Sequence, residues 1–428
     1  MAKLAIFGGN PVLKGPLVPY NAMGEEEVSA ITRVARSGKL SCFIGAWCDD
    51  FDGGPEIKAF ERAWAERFQV RHAITVNSNT SGLIAALGAV GVSPGDEVIV
   101  PPLTMSATVV APLFYGGIPV FVDIEPDTFC LDPNLVRAAI TSKTRAIIAV
   151  DLFGHPAALR ELRKLADEHG IYLIEDAAQA PLATEGGQFA GTIGHIGVFS
   201  LNYHKHIHTG EGGVCVTNDD DLALRLRAIR NHGENVVEPL GIADATNLIG
   251  FNFRMMEISA AIGTEQLKKA DRLVREREEI ANRLTAGVTG LPGLTPPAVR
   301  KDCRHVYYVW VARYDAAKTG VSRELIAKAL NAEGVPVWEG YVKPLYLLPA
   351  FQRRIAIGRD GFPFNLTERT YSKGLCPVAE RMHESELLEF CICSFDLSPT
   401  ETDGVIEAFQ KVFGQIDELA SRANEIVP

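Results

Sequence analysis

Between about residues 70 and 220, short runs rich in Val and Ile alternate with helical stretches. The runs at 73–77, 97–101, 119–123, 146–151, 172–175, 197–201 and 213–217 read as strands. Several are apolar at both alternating sets of positions, the pattern of strands buried on two faces. Segments 81–90, 106–115, 134–140 and 158–169 read as the helices between them. Alternation of this kind predicts an α/β fold, a three-layer α/β/α arrangement around a mostly parallel sheet. Pro94-Gly95-Asp96 and Gly116-Gly117 supply turns ahead of two of the strands.

The pattern changes near residue 252. From Met256 to about Leu284 there is no proline. Ile258, Ala261, Ile262, Leu267, Leu273, Ile280 and Leu284 form a broken apolar stripe, which predicts one long helix leading out of the α/β core. Beyond a Gly- and Pro-rich stretch at 290–297, residues 306–314 read as a strand and 322–333 as a helix. Residues 400–413 read as an amphipathic helix capped by Thr400 or Thr402. The expected organisation is an N-terminal arm at 1–25, a large domain at 26–284 and a smaller α+β domain at 285–428. Residues 40–54 read as a surface loop.

Composition narrows the function classes. A chain of 428 residues is too long for one core and is ordinary in its 47% hydrophobic and 22% charged content. The net charge of −11 and the lack of any long basic run argue against nucleic acid as a partner. No stretch approaches the length of a membrane span, and the first apolar run is too short for a signal peptide, so a cytoplasmic setting is expected. The eight cysteines are scattered, and only Cys391 and Cys393 are close. On a strand those two thiols would share a face. With no further ligands at matching spacing they read as reduced core thiols, and no metal is expected.

Four places carry chemistry. Asn77-Ser78-Asn79-Thr80-Ser81-Gly82 follows a strand and opens an apolar helix, the layout of an anion site at a helix N-terminus; ordinary capping is the competing reading. Asp176 closes a strand-like run, where ligands of parallel sheets sit; a helix cap or rim ion pair competes. Gln179 lies one turn further on, where it is either a ligand donor or a capping-box partner of Asp176. Lys205 stands between a strand and Thr209-Gly210-Glu211-Gly212-Gly213. A lysine beside a Gly-rich turn, with an acid ending a preceding strand, is what a pyridoxal 5'-phosphate enzyme needs. The lysine forms the Schiff base and the acid keeps the pyridine nitrogen protonated. His204, His206 and His208 alternate around the lysine, so a three-histidine zinc site on one strand face is a rival reading. No HExxH or carboxylate pattern supports it.

Taken together, Gly95-Asp96-Glu97-Val98-Ile99-Val100-Pro101, the stretch from Ala111-Pro112 to Asp123, Ile174-Glu175-Asp176-Ala177-Ala178-Gln179-Ala180, Phe199-Ser200 with Lys205, Gly210-Glu211-Gly212-Gly213 and Gly250-Phe251-Asn252-Phe253-Arg254-Met255 resemble the DegT/DnrJ/EryC1/StrS sugar aminotransferases, of fold type I among pyridoxal phosphate enzymes. The resemblance covers nearly the whole chain. It implies that Lys205 carries the cofactor and acts as the base, that Asp176 partners the pyridine nitrogen, and that Gln179 contacts the 3-oxygen. It also implies Ser200, Thr80 and Ser81 as phosphate ligands. Asn252 matches a residue that reaches the phosphate across a dimer interface, so a homodimer with shared active sites is implied.

The sequence departs from the family pattern at Met105, where a ring-stacking aromatic is usual, at Asn79, where glycine is common, and in the three histidines. The reaction implied moves an amino group from glutamate or glutamine to a keto sugar or keto cyclitol, nucleotide-linked or of the inosose type, in amino-sugar, aminocyclitol or antibiotic biosynthesis. The alternatives are a dehydratase or aromatizing synthase on the same scaffold and, more remotely, a regulatory protein. Residues 374–381 are similar to those of cyclitol-type members, with Glu380 and Arg381 read equally well as a structural ion pair.

Overall fold

The Val- and Ile-rich runs form a seven-stranded sheet in the computed structural model, which describes residues 2–426. Its strands are β1 (His72–Val76), β2 (Glu97–Val100), β3 (Ile118–Phe121), β4 (Thr144–Val150), β5 (Tyr172–Asp176), β6 (Ile196–Ser200) and β7 (Gly213–Thr217). The order is β1-β7-β6-β5-β4-β2-β3. From β6 to β3 all neighbours run parallel. Strand β7 is antiparallel to both β6 and β1, and Gly213 faces Val76 on one side and Ser200 on the other. The start of β7 therefore lies at the same sheet edge as the ends of β1, β6 and β5.

Helices α1 (Glu25–Ser37) and α2 (Pro55–Phe68) precede the sheet; α3 (Asn79–Ala89) follows β1. From Ser81 onward α3 is buried on every side. Gly82 permits this. A Cβ there would lie 2.5 Å from Val198 Cγ1, so only glycine lets the helix approach β6 so closely. Segment 40–54 is not simply a surface loop. Phe43 and Phe51 are buried, and the Asn231 side-chain amide donates at 2.9 Å to the carbonyls of both Ile44 and Phe51.

The long helix, α4 in chain order among those described here, runs from Glu257 to Val288. Its first turns pack in the core under the large sheet, while Ala281, Leu284 and Val288 belong to a second core. That second core lies against an antiparallel sheet of β8 (Leu294–Thr295), β9 (Trp310–Tyr314), β10 (Trp338–Glu339) and β11 (Leu387–Phe390), ordered β8-β9-β11-β10. Leu4 and Leu17 are buried in this core, and Glu333 accepts from the N–H groups of Ala5 and Val12, so the N-terminal residues pack down.

Strand β9 starts at Trp310 rather than at 306 because the preceding backbone is used elsewhere. Tyr307 is left-handed (φ 51), and the N–H groups of Val306 and Tyr308 donate to Gly154 and Phe153. The last amphipathic helix, Pro399–Phe413, is capped by Ser398 in a capping box with Glu401, not by Thr400 or Thr402. Thr402 lies inside the helix and donates to the Ser398 carbonyl. Cys391 precedes a 3₁₀ turn, Ile392–Ser394, and Cys393 lies within it, so the two do not share a strand face. Among the described residues no helix is long and apolar enough to cross a membrane.

Candidate active site

At the carboxyl ends of β5 and β6 lies a cavity of about 230 Å³. It brings together Asn79, Thr80, Met105, Asp176, Gln179, Ser200 and Lys205, which span more than a hundred positions of sequence. Ser81 and Asn252 stand outside it. The Ser81 hydroxyl turns inward and donates to Asn77 Oδ1 at 2.6 Å, while Ser78 caps the helix by accepting the Ser81 N–H. Ser78, not Ser81, is thus the hydroxyl that lines the cavity. Asn252 is exposed, and its Oδ1 accepts from Arg254 Nε at 2.9 Å.

Strand alternation separates Asp176 from Glu175. Glu175 is buried and accepts the N–H groups of Gly191, Ile193 and Gly194, closing the turn before β6. Asp176 faces the cavity. Its carboxylate accepts from Thr108 Oγ1 at 2.7 Å, from Asn79 Nδ2 at 3.3 Å and from the Ala178 N–H at 3.3 Å. Burial pushes its pKa up, and these hydrogen bonds together with Lys205 pull it back. The Asn79 side chain therefore orients Asp176 instead of reaching an anion.

Lys205 is buried in a turn-rich segment between Ser200 and Gly213. Desolvation lowers its pKa from 10.5 to about 8, against the opposing pull of Asp176 and then Cys393. The flanking histidines do not share one strand face, because the segment is not a strand. His204 lines the cavity, His206 Nε2 is bonded to the Val306 carbonyl at 2.8 Å, and His208 lies near Gln266. Among the described residues no three His, Cys, Asp or Glu side chains converge as metal ligands do.

Gln179 is not a capping partner. Its Oε1 accepts the Phe153 N–H at 2.7 Å and its Nε2 donates to the Tyr341 hydroxyl at 2.9 Å. Phe153 and Tyr341 both hold left-handed backbone, with φ of 59 and 55, each at a cost of about 1–3 kcal/mol for such a side chain. Ser200 lines the cavity with its hydroxyl accepting from Asn202 N–H at 3.3 Å. Met105 is 62% exposed at the mouth. Glu380 and Arg381 are not paired with each other. Arg381 bonds Glu386, and Glu380 accepts from Tyr346 and from the Gly374 N–H.

The family model of the DegT/DnrJ/EryC1/StrS aminotransferases matches residues 22–390. The chain belongs to this family. The L-glutamine:2-deoxy-scyllo-inosose aminotransferase of Streptomyces kanamyceticus is 36% identical over 98% of this chain and 99% of its own length. Among solved structures, DesI in the presence of its TDP-sugar product superposes with a TM-score of 0.82 at 30% identity, covering 98% of this chain and 99% of that one. DesV of S. venezuelae, in complex with a ketimine intermediate, gives 0.79 at 32% identity over 93% and 99% of the two chains.

Aminotransferases of this family depend on pyridoxal 5'-phosphate. The residues present fit that group. The N–H groups of Asn79 and Thr80, at the start of α3, have no partner among the described residues, as an anion site requires. A buried carboxylate and a buried amine line the same cavity. Thr108, Phe153, Tyr308 and Tyr341 complete this candidate site and were not singled out by the sequence. Thr108 sits in the helical run 106–115, where nothing sets it apart from its neighbours. The two tyrosines lie more than a hundred residues from Lys205, with no local periodicity to mark them.

Proposed function

We propose that this aminotransferase is pyridoxal phosphate-dependent and transfers an amino group from glutamate or glutamine to the ketone of a sugar or cyclitol, giving an amino sugar or aminocyclitol. The observation that carries the reading is the pairing of buried Lys205 with buried Asp176 in one cavity beside the open start of α3. The Streptomyces kanamyceticus relative, which matches 98% of this chain, supports a cyclitol or sugar ketone as acceptor.

Bound there, the cofactor supplies an electron sink. This chain's residues do the rest. Lys205 Nζ, lowered to about 8, gives up and takes back a proton near neutral pH. Asp176, held by Thr108 and Asn79, presents a fixed negative charge to the ring nitrogen, a charge-assisted partner. The N–H groups of Asn79 and Thr80, with the Ser78 and Ser200 hydroxyls, take the phosphate. Gln179 keeps one amide N–H for the ring oxygen. Asn252, exposed and outside its own cavity, is free to serve the site of a second copy, which supports a homodimer with shared sites. Residues 26–284 form the cofactor-binding domain in this reading. Residues 285–428 form the smaller domain, which contributes Tyr308 and Tyr341.

The test is to load the protein with cofactor, add glutamine or glutamate, and follow the cofactor's visible band together with release of the 2-oxo acid. A panel of keto cyclitols and nucleotide-linked keto sugars should then restore the band. Water loss from a sugar without 2-oxo acid release would instead identify a dehydratase.

A further inference from the structure

The lysine segment converges on Tyr308. Lys205 Nζ lies 4.1 Å from the centroid of its ring. His204 and His206, on either side of the lysine, pack against the same ring at centroid distances of 6.0 and 6.3 Å. The backbone behind the ring is fixed. Tyr308 N–H donates to the Phe153 carbonyl at 2.8 Å, and His206 Nε2 is bonded at 2.8 Å to the carbonyl of Val306, two residues before Tyr308. Phe153 and Tyr307, which set this geometry, are both left-handed, a conformation that aromatic residues rarely hold without a functional reason. The histidines, unexplained by the reaction, thus have a place. They flank the ring that meets the amine.

We propose that Tyr308 is a positioning residue. Its ring face holds the Lys205 ammonium over the cavity and favours the protonated form, setting the pH at which the amine changes from acid to base. A cation over an aromatic face is attracted by the ring quadrupole, most strongly where water is excluded. The other groups facing Lys205 come from several elements. Asp176, at the end of β5, and Cys393, in the turn after β11, favour the ammonium, while burial opposes it. Burial holds His204 at about 4 and His206 at about 3, so neither carries charge near neutral pH. Arg277 of the long helix acts on Cys393 and His206. Burial pushes the Tyr341 and Tyr308 phenols up, which keeps both neutral, and Glu211 lines the cavity. The ring is therefore an uncharged surface, in direct contact with the amine, that discriminates between its two forms.

This role rests on Lys205 as the proton-moving amine of the proposed reaction, but the contact is testable without it. In the full-length, cofactor-stripped protein, the ionisation of Lys205 is read by competitive trace acetylation against pH, with mass spectrometry of its peptide. Tyr308→Leu is expected to lower the midpoint by about one unit, a tenfold change in free amine. Tyr308→Phe should leave it within about 0.3 unit, since the ring face remains. Progressively fluorinated phenylalanines at 308 keep the shape and drain the ring's negative face, so the midpoint should fall stepwise. A flat midpoint across that series, or a Tyr308→Phe shift as large as that of Tyr308→Leu, overturns the proposal. No substrate is used, so failure of the transamination reading would show separately, as absence of 2-oxo acid in the wild-type protein.

Discussion

Gln179 donates to the Tyr341 hydroxyl at 2.9 Å across the seam between the large sheet and the smaller one. The amide can point that way because its oxygen is committed to the Phe153 N–H. Gln179→Leu orphans a buried N–H and should cost about 1–3 kcal/mol, read as a lower urea midpoint. Tyr341→Phe leaves the Phe153 bond intact and should cost clearly less. A larger loss from Tyr341→Phe would contradict this order.

Lys205→Ala should abolish both turnover and the visible band of the lysine-linked cofactor. Loss of a positioned base alone is worth roughly 10²–10⁴ in rate. Retained activity would exclude the role given to Lys205.

Asp176→Asn should fold, since Thr108, Asn79 and Ala178 still surround the side chain. Turnover should fall by about 10² or more, the scale of a removed electrostatic partner in a dry site. Circular dichroism and single-turnover rates check the two halves of this expectation.

Burial holds the Glu175 carboxyl at about 7 against an ordinary 4.5, despite three backbone N–H donors, and pushes Asp151 well above its usual range. Between those pH values the folded chain binds a proton that the unfolded chain has released. The resulting stability is fully present below about pH 4.5 and is lost as pH rises through about 7. For Glu175 the span is at most about 3 kcal/mol. The difference in urea stability between wild type and Glu175→Gln, measured at pH 5 and pH 8, should change in that direction. An unchanged difference would refute it.

Met105 stands at the cavity mouth, at the position where the family resemblance implies a ring-stacking aromatic. Met105→Phe or Met105→Tyr should tighten cofactor binding by several-fold, in line with the roughly 0.5–1.5 kcal/mol of an aromatic pair. Equilibrium dialysis of the cofactor is the measurement.

The strands of the large sheet were legible to within two residues because several are apolar on both faces. The reversed direction of β7 was not, since Gly213-Val214-Cys215-Val216-Thr217 is equally buried whichever way it runs. Helices α1 and α2 carried ordinary start signals, Glu25-Glu26-Glu27 in a first turn and Pro55 at a first position, outside the region where alternation was clear. Asp176, Gln179 and Lys205, which line one cavity, stood out because each borders a strand end or a Gly-rich turn. Sequence does not say which hydroxyl of Ser78 and Ser81 caps the helix and which turns inward to Asn77. Tyr308 and Tyr341 were invisible for a different reason. Their importance comes from left-handed backbone at Tyr307, Tyr341 and Phe153, which aromatic residue types do not announce.

The reversal of β7 also governs how far the lysine can travel. Because β7 begins where β6 ends, the segment carrying Lys205 leaves and re-enters the sheet at the same rim, paired at Ser200 and Gly213. Gly213 is pressed against the backbone of Ser78, where a Cβ would come within 2.8 Å of the carbonyl carbon and oxygen. The segment carrying the amine is held at both ends by the sheet, and at Gly213 it also abuts the turn that opens α3. A parallel β7 would have sent the chain away across the sheet, leaving the amine on a one-sided leash, with its distance from that turn set by loop entropy instead of by the sheet.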